Sequence, residues 1–484
     1  MRRHTGMFTL AAAYSLYCVV ALHAFSTTGP QVVPPGNSDT TAYLRMASLP
    51  VLSTDFFFGE RAIGYALLLK AIDGNLAAAG YLQTALSLAC WGFLAWASLS
   101  LFATTAGKGI GCSLVLLCAA REEVLFWNAV ALSESLSLSL FALWIGSWIM
   151  FARGGRTFWR LFPLITSLPF AFARDSNAFL VLGAAILLAA ACAFRLVGPR
   201  TLLLAAALAV FFAGSLACRL HSLRPEYSLQ NIIGGRIIGD EWRFAALGKL
   251  GMPATLSEAS KRQLAGKCGD QFVAFARTLF ALGHSEVPEL FYWLQERGQR
   301  DYRAFLARHP GYLLTEPFRE DGLFRFAFPL ASRIGPSGCD QPLRVEMPAG
   351  FRTLLPQPAR ELLQGDRRSW LLFLGALTAG ACAAAWVRHR PFRGPFLWSL
   401  ALLSACAPHL LVVWHGDALS VPRHAVLVGI QAHLALALAL ALACDSLVAA
   451  GAASGRARPG SQGFPGKISC SNASGVTGRE NRYP

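Results

Sequence analysis

Charge is what this chain has least of. Asp, Glu, Lys and Arg make up 14% of its 484 residues, against roughly 25% in a soluble domain. Hydrophobic residues make up 54%, and mean hydropathy is +0.45. A soluble fold could not hide that much apolar surface from water, so the composition implies a polytopic membrane protein. Acids are scarcer still, 27 against 43 Lys plus Arg. The surplus arginines lie between apolar runs, where they read as topology signals and as partners of anionic headgroups, not as a nucleic-acid surface. The 12 cysteines form no CxxC and no paired metal spacing, which excludes the common zinc and dithiol motifs. Most of them (Cys18, Cys90, Cys192, Cys382, Cys406, Cys444) sit in apolar runs as small hydrophobes. No internal repeat is visible, which counts against a repeat-built transporter.

Long apolar runs, by contrast, are plentiful. A spanning helix needs about 20 mostly apolar residues. Met7–Phe25, Tyr81–Phe102, Leu132–Phe151, Asn177–Phe194, Thr201–Leu220, Trp370–Val387, Phe396–Trp414 and Ala425–Leu447 qualify. Ile110–Ala120 is short, and Phe158–Ala173 carries Pro163 and Pro169. Counting both predicts an all-α membrane protein of about ten spans. With that count "MRRH", Lys108, "RGGRTFWR", "RLVGPR" and "RHRPFR" fall on one side, the cytoplasmic one by the positive-inside rule. "MRRH" before the first run also suits a cleaved signal peptide. The lack of a clear small-x-small cleavage site favours an uncleaved first helix.

The expected organisation is a membrane module over 1–220, an extracytoplasmic and mainly helical domain over 221–369, C-terminal spans over 370–447 and a disordered cytoplasmic tail over 448–484. The tail is rich in Gly, Ser, Pro and Arg, and its "NAS" sequon at 472–474 faces inward in this topology. Within the outer domain, Glu286–Leu306 has helical periodicity at Val287, Leu290, Phe291 and Leu294. Cys268 and Cys339 in the same domain are either a disulfide or two free thiols.

The outward connection over 26–80 is too long for a turn. Its semi-apolar make-up predicts short amphipathic helices at the membrane surface. It carries "NSDTTAYLRM", with Asp39, and "GERAIGYALLLKAI". The plain reading of Asp39 is a helix cap. Glu134 changes the balance, because an acid opening a span needs a partner or a function. Arg174-Asp175 stands at the mouth of another span, and His415, Asp417, Arg423 and His424 cluster before the last one. The plain reading of that last group is an outer turn with a helix start after Pro422; the functional one is recognition of a sugar or acceptor.

Taken in order, these motifs resemble the multi-pass glycosyltransferases of the C superfamily, the group of protein O-mannosyltransferases and aminoarabinose transferases. The resemblance covers roughly the first 200 residues. Asp39 and Tyr43 match an acid-x-x-x-Tyr pattern in the first outer loop. Arg61-Ala62-Ile63-Gly64-Tyr65 keeps the Arg, Gly and Tyr of an R-P-P-x-Y-P stretch without its prolines. Ser133-Glu134-Ser135-Leu136 matches a Ser-Glu-x-Leu step, and "FARDSN" has Asp175 where an Arg-Pro pair is common. The resemblance implies a polyprenyl-phosphate sugar donor, transfer on the extracytoplasmic face of the cell membrane, and a glycan, lipid or protein acceptor. Asp39 would then be the catalytic base. Arg61 and Arg174 would bind the donor phosphate, since a guanidinium matches phosphate geometry. Tyr43, Tyr65 and Glu134 would line the substrate site. Glu60 and Glu134 are the candidate oxygen ligands for a divalent cation, Mg²⁺ or Mn²⁺. The competing readings are a transporter or flippase of lipid-linked glycans, an O-antigen polymerase or ligase type enzyme, and a membrane scaffold.

Overall fold

A computed structural model describes residues 2–29, 38–154, 157–318, 375, 379, 393–418 and 421–456. Among the described residues the elements are helices, with no strand element. Seven stretches are long and apolar enough to cross a bilayer: Met7–Thr27, Leu76–Leu101, Ser133–Arg153, Asp175–Ala193, Thr201–Leu220, Gly394–Gly416 and Arg423–Ala452. Length and composition thus mark a multi-pass membrane protein. The expected span Trp370–Val387, the segment 319–369 and the tail beyond 456 lie outside the described residues.

The two weak spans fold as helices but are short. Thr105–Ala119 has 15 residues, about 22 Å at 1.5 Å per residue, less than the ~30 Å of a hydrocarbon core. It begins earlier than hydropathy alone indicates because Thr104 caps it, its Oγ1 accepting from Gly107 N at 2.9 Å. Thr157–Ala173 has 17 residues with Pro163 and Pro169 inside. Next to the prolines, side chains bond back to the helix's own carbonyls: Thr166 Oγ1 donates to Phe162 O at 3.0 Å and Ser167 Oγ to Pro163 O at 2.6 Å. The count of ten spans is therefore not reached by full-length helices among the described residues. A further correction concerns the end of the last span. Its helix runs Val421–Arg456, so 448–456 is helical, as the alanines of "SLVAAGAASGR" favour.

The bundle packs around Trp91, Phe141, Phe170 and Leu132. Polar staples sit inside it, where hydrogen bonds and close packing, not apolar burial, join helices in lipid. Ser137 Oγ and Asn177 bond each other, and Asn177 Nδ2 also donates to Phe170 O at 3.1 Å. Trp144 Nε1 donates to Ser167 Oγ at 2.7 Å.

Residues 224–318 form a second unit of short helices around Leu229, Ile233, Phe272, Leu290 and Phe305. Two single π turns, Ile233–Ile237 and Leu294–Gly298, interrupt its helices. The second follows helix Glu286–Trp293 directly, and Val287, Leu290, Trp293 and Leu294 are buried there while Phe291 is half-buried. Cys268 is disulfide-bonded, while Cys339 lies outside the described residues.

At the other end of the bundle Asp445 is wholly buried. Its carboxylate accepts from the backbone N–H of Ala103 at 2.6 Å and Thr104 at 2.8 Å, and from the Thr104 hydroxyl. This anchors the last helix to the N-terminus of Thr105–Ala119, where unpaired N–H groups and the helix dipole favour an anion. The contact needs Gly107, since a Cβ there would stand 2.2 Å from Asp445 Oδ1. Asp445→Ala should cost about 2–3 kcal/mol by stranding buried donors. Gly107→Ala should lower thermal stability in detergent as well, and the double variant should lose less than the sum of the two. Additive losses would show that the two residues do not share one contact.

Candidate functional site

The connection after the first span folds into Ser38–Ser48, Thr54–Phe57 and Ile63–Ala71. In Ser38–Ser48 the i, i+4, i+7 rule puts Asp39, Tyr43 and Met46 on one face. Tyr43 and Met46 are buried, so Asp39 turns inward with them. Asp39 lies in the first turn, where the helix dipole favours a carboxylate. Tyr43 packs edge-on against Tyr65, with ring centroids 5.0 Å apart. Helix Ile63–Ala71 is pressed against the end of Thr157–Ala173, because Gly64 has no Cβ. One would sit 2.8 Å from Phe172 O and 2.9 Å from Ala173 Cα. That approach carries Arg61 to the end of the bundle from which Arg174 emerges.

Here the charged residues converge. Asp39 pairs with Arg61 through one oxygen and with Arg423 Nη2 at 2.5 Å through the other. Arg423 Nε also pairs with Glu134, and Arg174 Nη1 lies 3.4 Å from the same Glu134 oxygen. Arg174 Nη2 is 2.5 Å from His424 Nδ1. A guanidinium can only donate, so Nδ1 accepts and the His424 proton is on Nε2, leaving the ring neutral. Among the described residues three guanidiniums thus face two carboxylates, with one positive charge in excess.

Exposure grades outward through the cluster. The Glu134 side chain is 1% exposed at the floor, Arg423 12%, Asp39 14% and Arg61 28% at the mouth. Glu134 makes its ion pairs without an aligned hydrogen bond to either oxygen. Burial would raise the Asp39 pKa, but Arg423 and Arg61 outweigh it and hold the carboxyl well below the usual carboxylate range. Burial pushes the Tyr43 hydroxyl up despite its hydrogen bond to Ser133, so it remains neutral. No protein family matches the chain, and neither does any curated protein. The site is therefore read from its own geometry.

The other sequence-selected residues stand elsewhere. Tyr65 is fully buried. Its hydroxyl donates to Gln83 Oε1 at 2.7 Å, and Gln83 Nε2 donates to Val130 O at 2.9 Å. Tyr65 therefore packs on Tyr43 with its hydroxyl engaged by Gln83. His415 Nε2 lies 2.9 Å from Leu313 O, and Asp417 accepts from Asn231 Nδ2 at 2.9 Å. Both residues meet the second unit, over 224–318. Glu60 pairs with Arg45 at the surface, at 3.0 Å. A divalent cation does not fit the proposed pair: Glu60 is engaged by Arg45, and Glu134 is enclosed by two guanidiniums whose charge repels a cation. Among the described residues no group of three or more His, Cys, Asp or Glu could hold a metal ion.

Sequence reasoning missed Gln83 and Asp445, although each is a polar residue inside an apolar run, which was the available signal. It also missed the partners of Asp175, Arg224 Nη1 at 2.5 Å and Arg219 Nε at 3.8 Å, for which no local signal exists.

Two outcomes follow from this electrostatics. Arg423→Gln leaves two carboxylates short of a shared partner and should destabilise by about 3–5 kcal/mol, as breaking a buried pair does. Adding Glu134→Gln should recover part of that loss, as read by thermal unfolding in detergent. Asp39 has a lower pKa folded than unfolded. Its stabilisation is therefore complete above the unfolded value of about 4 and disappears as pH falls below it. Asp39→Asn should flatten the acid limb of a stability–pH curve, and an unchanged limb would remove Asp39 from the ion network.

Proposed function

We propose that the protein is an integral membrane glycosyltransferase that moves a sugar from a polyprenyl-phosphate donor to an acceptor on the extracytoplasmic face. The supporting observation is the joining of Asp39 and Glu134 through Arg423, with Arg61, Arg174 and His424 around them. An excess of one positive charge suits a phosphodiester, which carries one negative charge. The graded exposure supplies a mouth at Arg61 for a polar headgroup, and the apolar surfaces of the spans suit an isoprenoid chain.

In this reading the donor phosphate takes over guanidinium contacts that Asp39 holds in the free protein. Asp39, kept ionised by its surroundings, then accepts a hydrogen bond from the acceptor hydroxyl. The anomeric C–O bond to phosphate breaks as the acceptor oxygen bonds the anomeric carbon, and the hydroxyl proton passes to Asp39 late in the step. The leaving phosphate gains a negative charge, which Arg61, Arg174 and Arg423 are placed to stabilise. Glu134 holds two of these guanidiniums in place, and its unaligned oxygens suit a sugar hydroxyl. No step is assigned to a metal.

The position of the charges favours this reading over a transporter. Asp39 and Glu134 lie in the first turns of their helices, Arg174 caps its helix and Arg423 stands in the first turn of the last one. They lie at the ends of elements, whereas a transporter concentrates charge near mid-membrane. The disulfide at Cys268 supports an oxidising compartment for the outer unit. The arginine-rich connections support a cytoplasmic side opposite it, with both termini inside the cell membrane.

The test is sugar transfer by purified protein in vesicles, with a panel of polyprenyl-phosphate sugars and hydroxyl acceptors. Asp39→Asn should lower turnover by about 10²–10⁴, the range for a general base, with the fold retained above pH 5. Wild-type turnover in that variant would remove Asp39 from catalysis. Movement of lipid-linked glycan across the vesicle without transfer would favour the transporter.

A further inference from the structure

Each arginine that faces Glu134 has an acid near it in sequence, and both acids are held by one short helix of the outer unit. Asp175 directly follows Arg174, and its Oδ1 accepts from Arg224 Nη1 at 2.5 Å. Asp417 precedes Arg423 by six residues in the chain. It accepts from Asn231 Nδ2 at 2.9 Å and Ser228 Oγ at 3.4 Å. Arg224, Ser228 and Asn231 stand at i, i+4 and i+7 of helix Arg224–Ile232, and so share one face. That face spans the two chain segments that deliver the guanidiniums to the site.

The grip is built rather than incidental. Arg224 is 7% and Asn231 4% exposed. Arg224 Nε is steadied by Ser222 Oγ at 3.0 Å, and Asn231 Oδ1 accepts from Gly269 N at 2.7 Å. The end of helix Cys406–Gly416, just before Asp417, is held by the same unit. Arg236 Nη1 donates to Trp414 O at 2.5 Å while its guanidinium lies 3.8 Å from the centre of the Trp414 ring. Tyr302 Oη is 3.3 Å from His415 Nδ1.

We propose that Asp175 and Asp417 are positioning residues through which helix Arg224–Ile232 sets the placement of Arg174 and Arg423. The outer unit then acts on the charged cluster without touching it. A shift of that helix moves both guanidiniums that neutralise Glu134, and Arg423 carries the shift to Asp39. Asp175 is the chain neighbour of Arg174, and Asp417 lies six residues before Arg423, so each acid fixes the chain close to the guanidinium it serves. The ligand arm of the test below rests on the function proposed above; the exchange arm does not.

The experiment is a double-mutant cycle on the full-length protein in detergent, with Asn231→Ala, Asp417→Ala and both together. Backbone hydrogen exchange is followed in Ser38–Ser48, which carries Asp39, and in Ile63–Ala71, which follows Arg61; neither Asp39 nor Arg61 pairs with a mutated residue in the ion network. Either single substitution should raise exchange in Ser38–Ser48 several-fold, leave Leu76–Ser98 unchanged, and the double should do no more than a single. Affinity for an added polyprenyl phosphate should fall about five- to tenfold, within the usual span of couplings between sites. Ser228→Ala, which removes only the longer bond, should give a smaller change in the same direction and replaces Asn231→Ala if that variant does not fold. Exchange that rises only in Arg224–Ile232 and around Asp417 would overturn the proposal. So would a uniform rise across the spans, which is the mark of a merely structural contact. If polyprenyl phosphate does not bind the unmutated protein, the glycosyltransferase reading fails, and the exchange pattern alone decides the coupling.

Discussion

Arg423 holds two carboxylates at once, and the polar end of this molecule depends on it. Asp39 comes from the first connection, Glu134 from the start of a central span and Arg423 from the start of the last helix. Two buried carboxylates repel each other strongly in a medium of low dielectric. A guanidinium, with its fan of donors and permanent charge, is the side chain suited to sit between them. Arg61 and Arg174 then complete the neutralisation and overshoot it by one charge. Among the described residues the cluster therefore carries one positive charge more than a balanced set of ion pairs would.

The two ends of the bundle solve the same problem in different ways. Asp445 is equally buried, yet backbone N–H groups and a threonine hydroxyl satisfy it completely. Gly107 leaves no room for a side chain between its helix and that carboxylate. At the other end Glu134 has charged neighbours but no aligned hydrogen bond, and access widens toward Arg61. Saturated acids hold helices together, while incompletely satisfied ones near an opening are where chemistry is to be sought. Glycine is used at both ends, Gly107 making space for a carboxylate and Gly64 for the backbone of a neighbouring helix.

Much of the charged cluster was legible before any coordinates. Glu134, Arg174 and Arg423 are expensive residues next to apolar runs, and that cost makes them visible. Asp39 was visible as an acid in a connection too long and too apolar to be an ordinary loop. The same reasoning failed where a residue type suits two roles. Tyr65 looked like a partner of Tyr43 in a binding site, but its hydroxyl is given to Gln83 and its ring to packing. Glu60 looked like a second acid beside Glu134, but Arg45, 15 residues back in the chain, pairs with it at the surface. His415 and Asp417 were grouped with Arg423 and His424 by proximity along the chain. Hydrogen bonds hold the first pair to the unit over 224–318, whereas Arg423 and His424 join the cluster.

Sequence alone determined the membrane class, the seven long apolar helices seen among the described residues, and the gathering of acids in the connections expected on one side. These follow from local properties: hydropathy over about 20 residues and the cost of charge in lipid. Tertiary structure decided which charges meet. Arg174 and His424 are 250 residues apart in the chain, and no local rule can pair them. Their meeting depends on how helices pack, on glycines that permit close approach and on turns that aim adjacent residues in opposite directions. Those are properties of the assembled bundle, because the energy that selects one partner over another exists only once water is excluded and the distances are set.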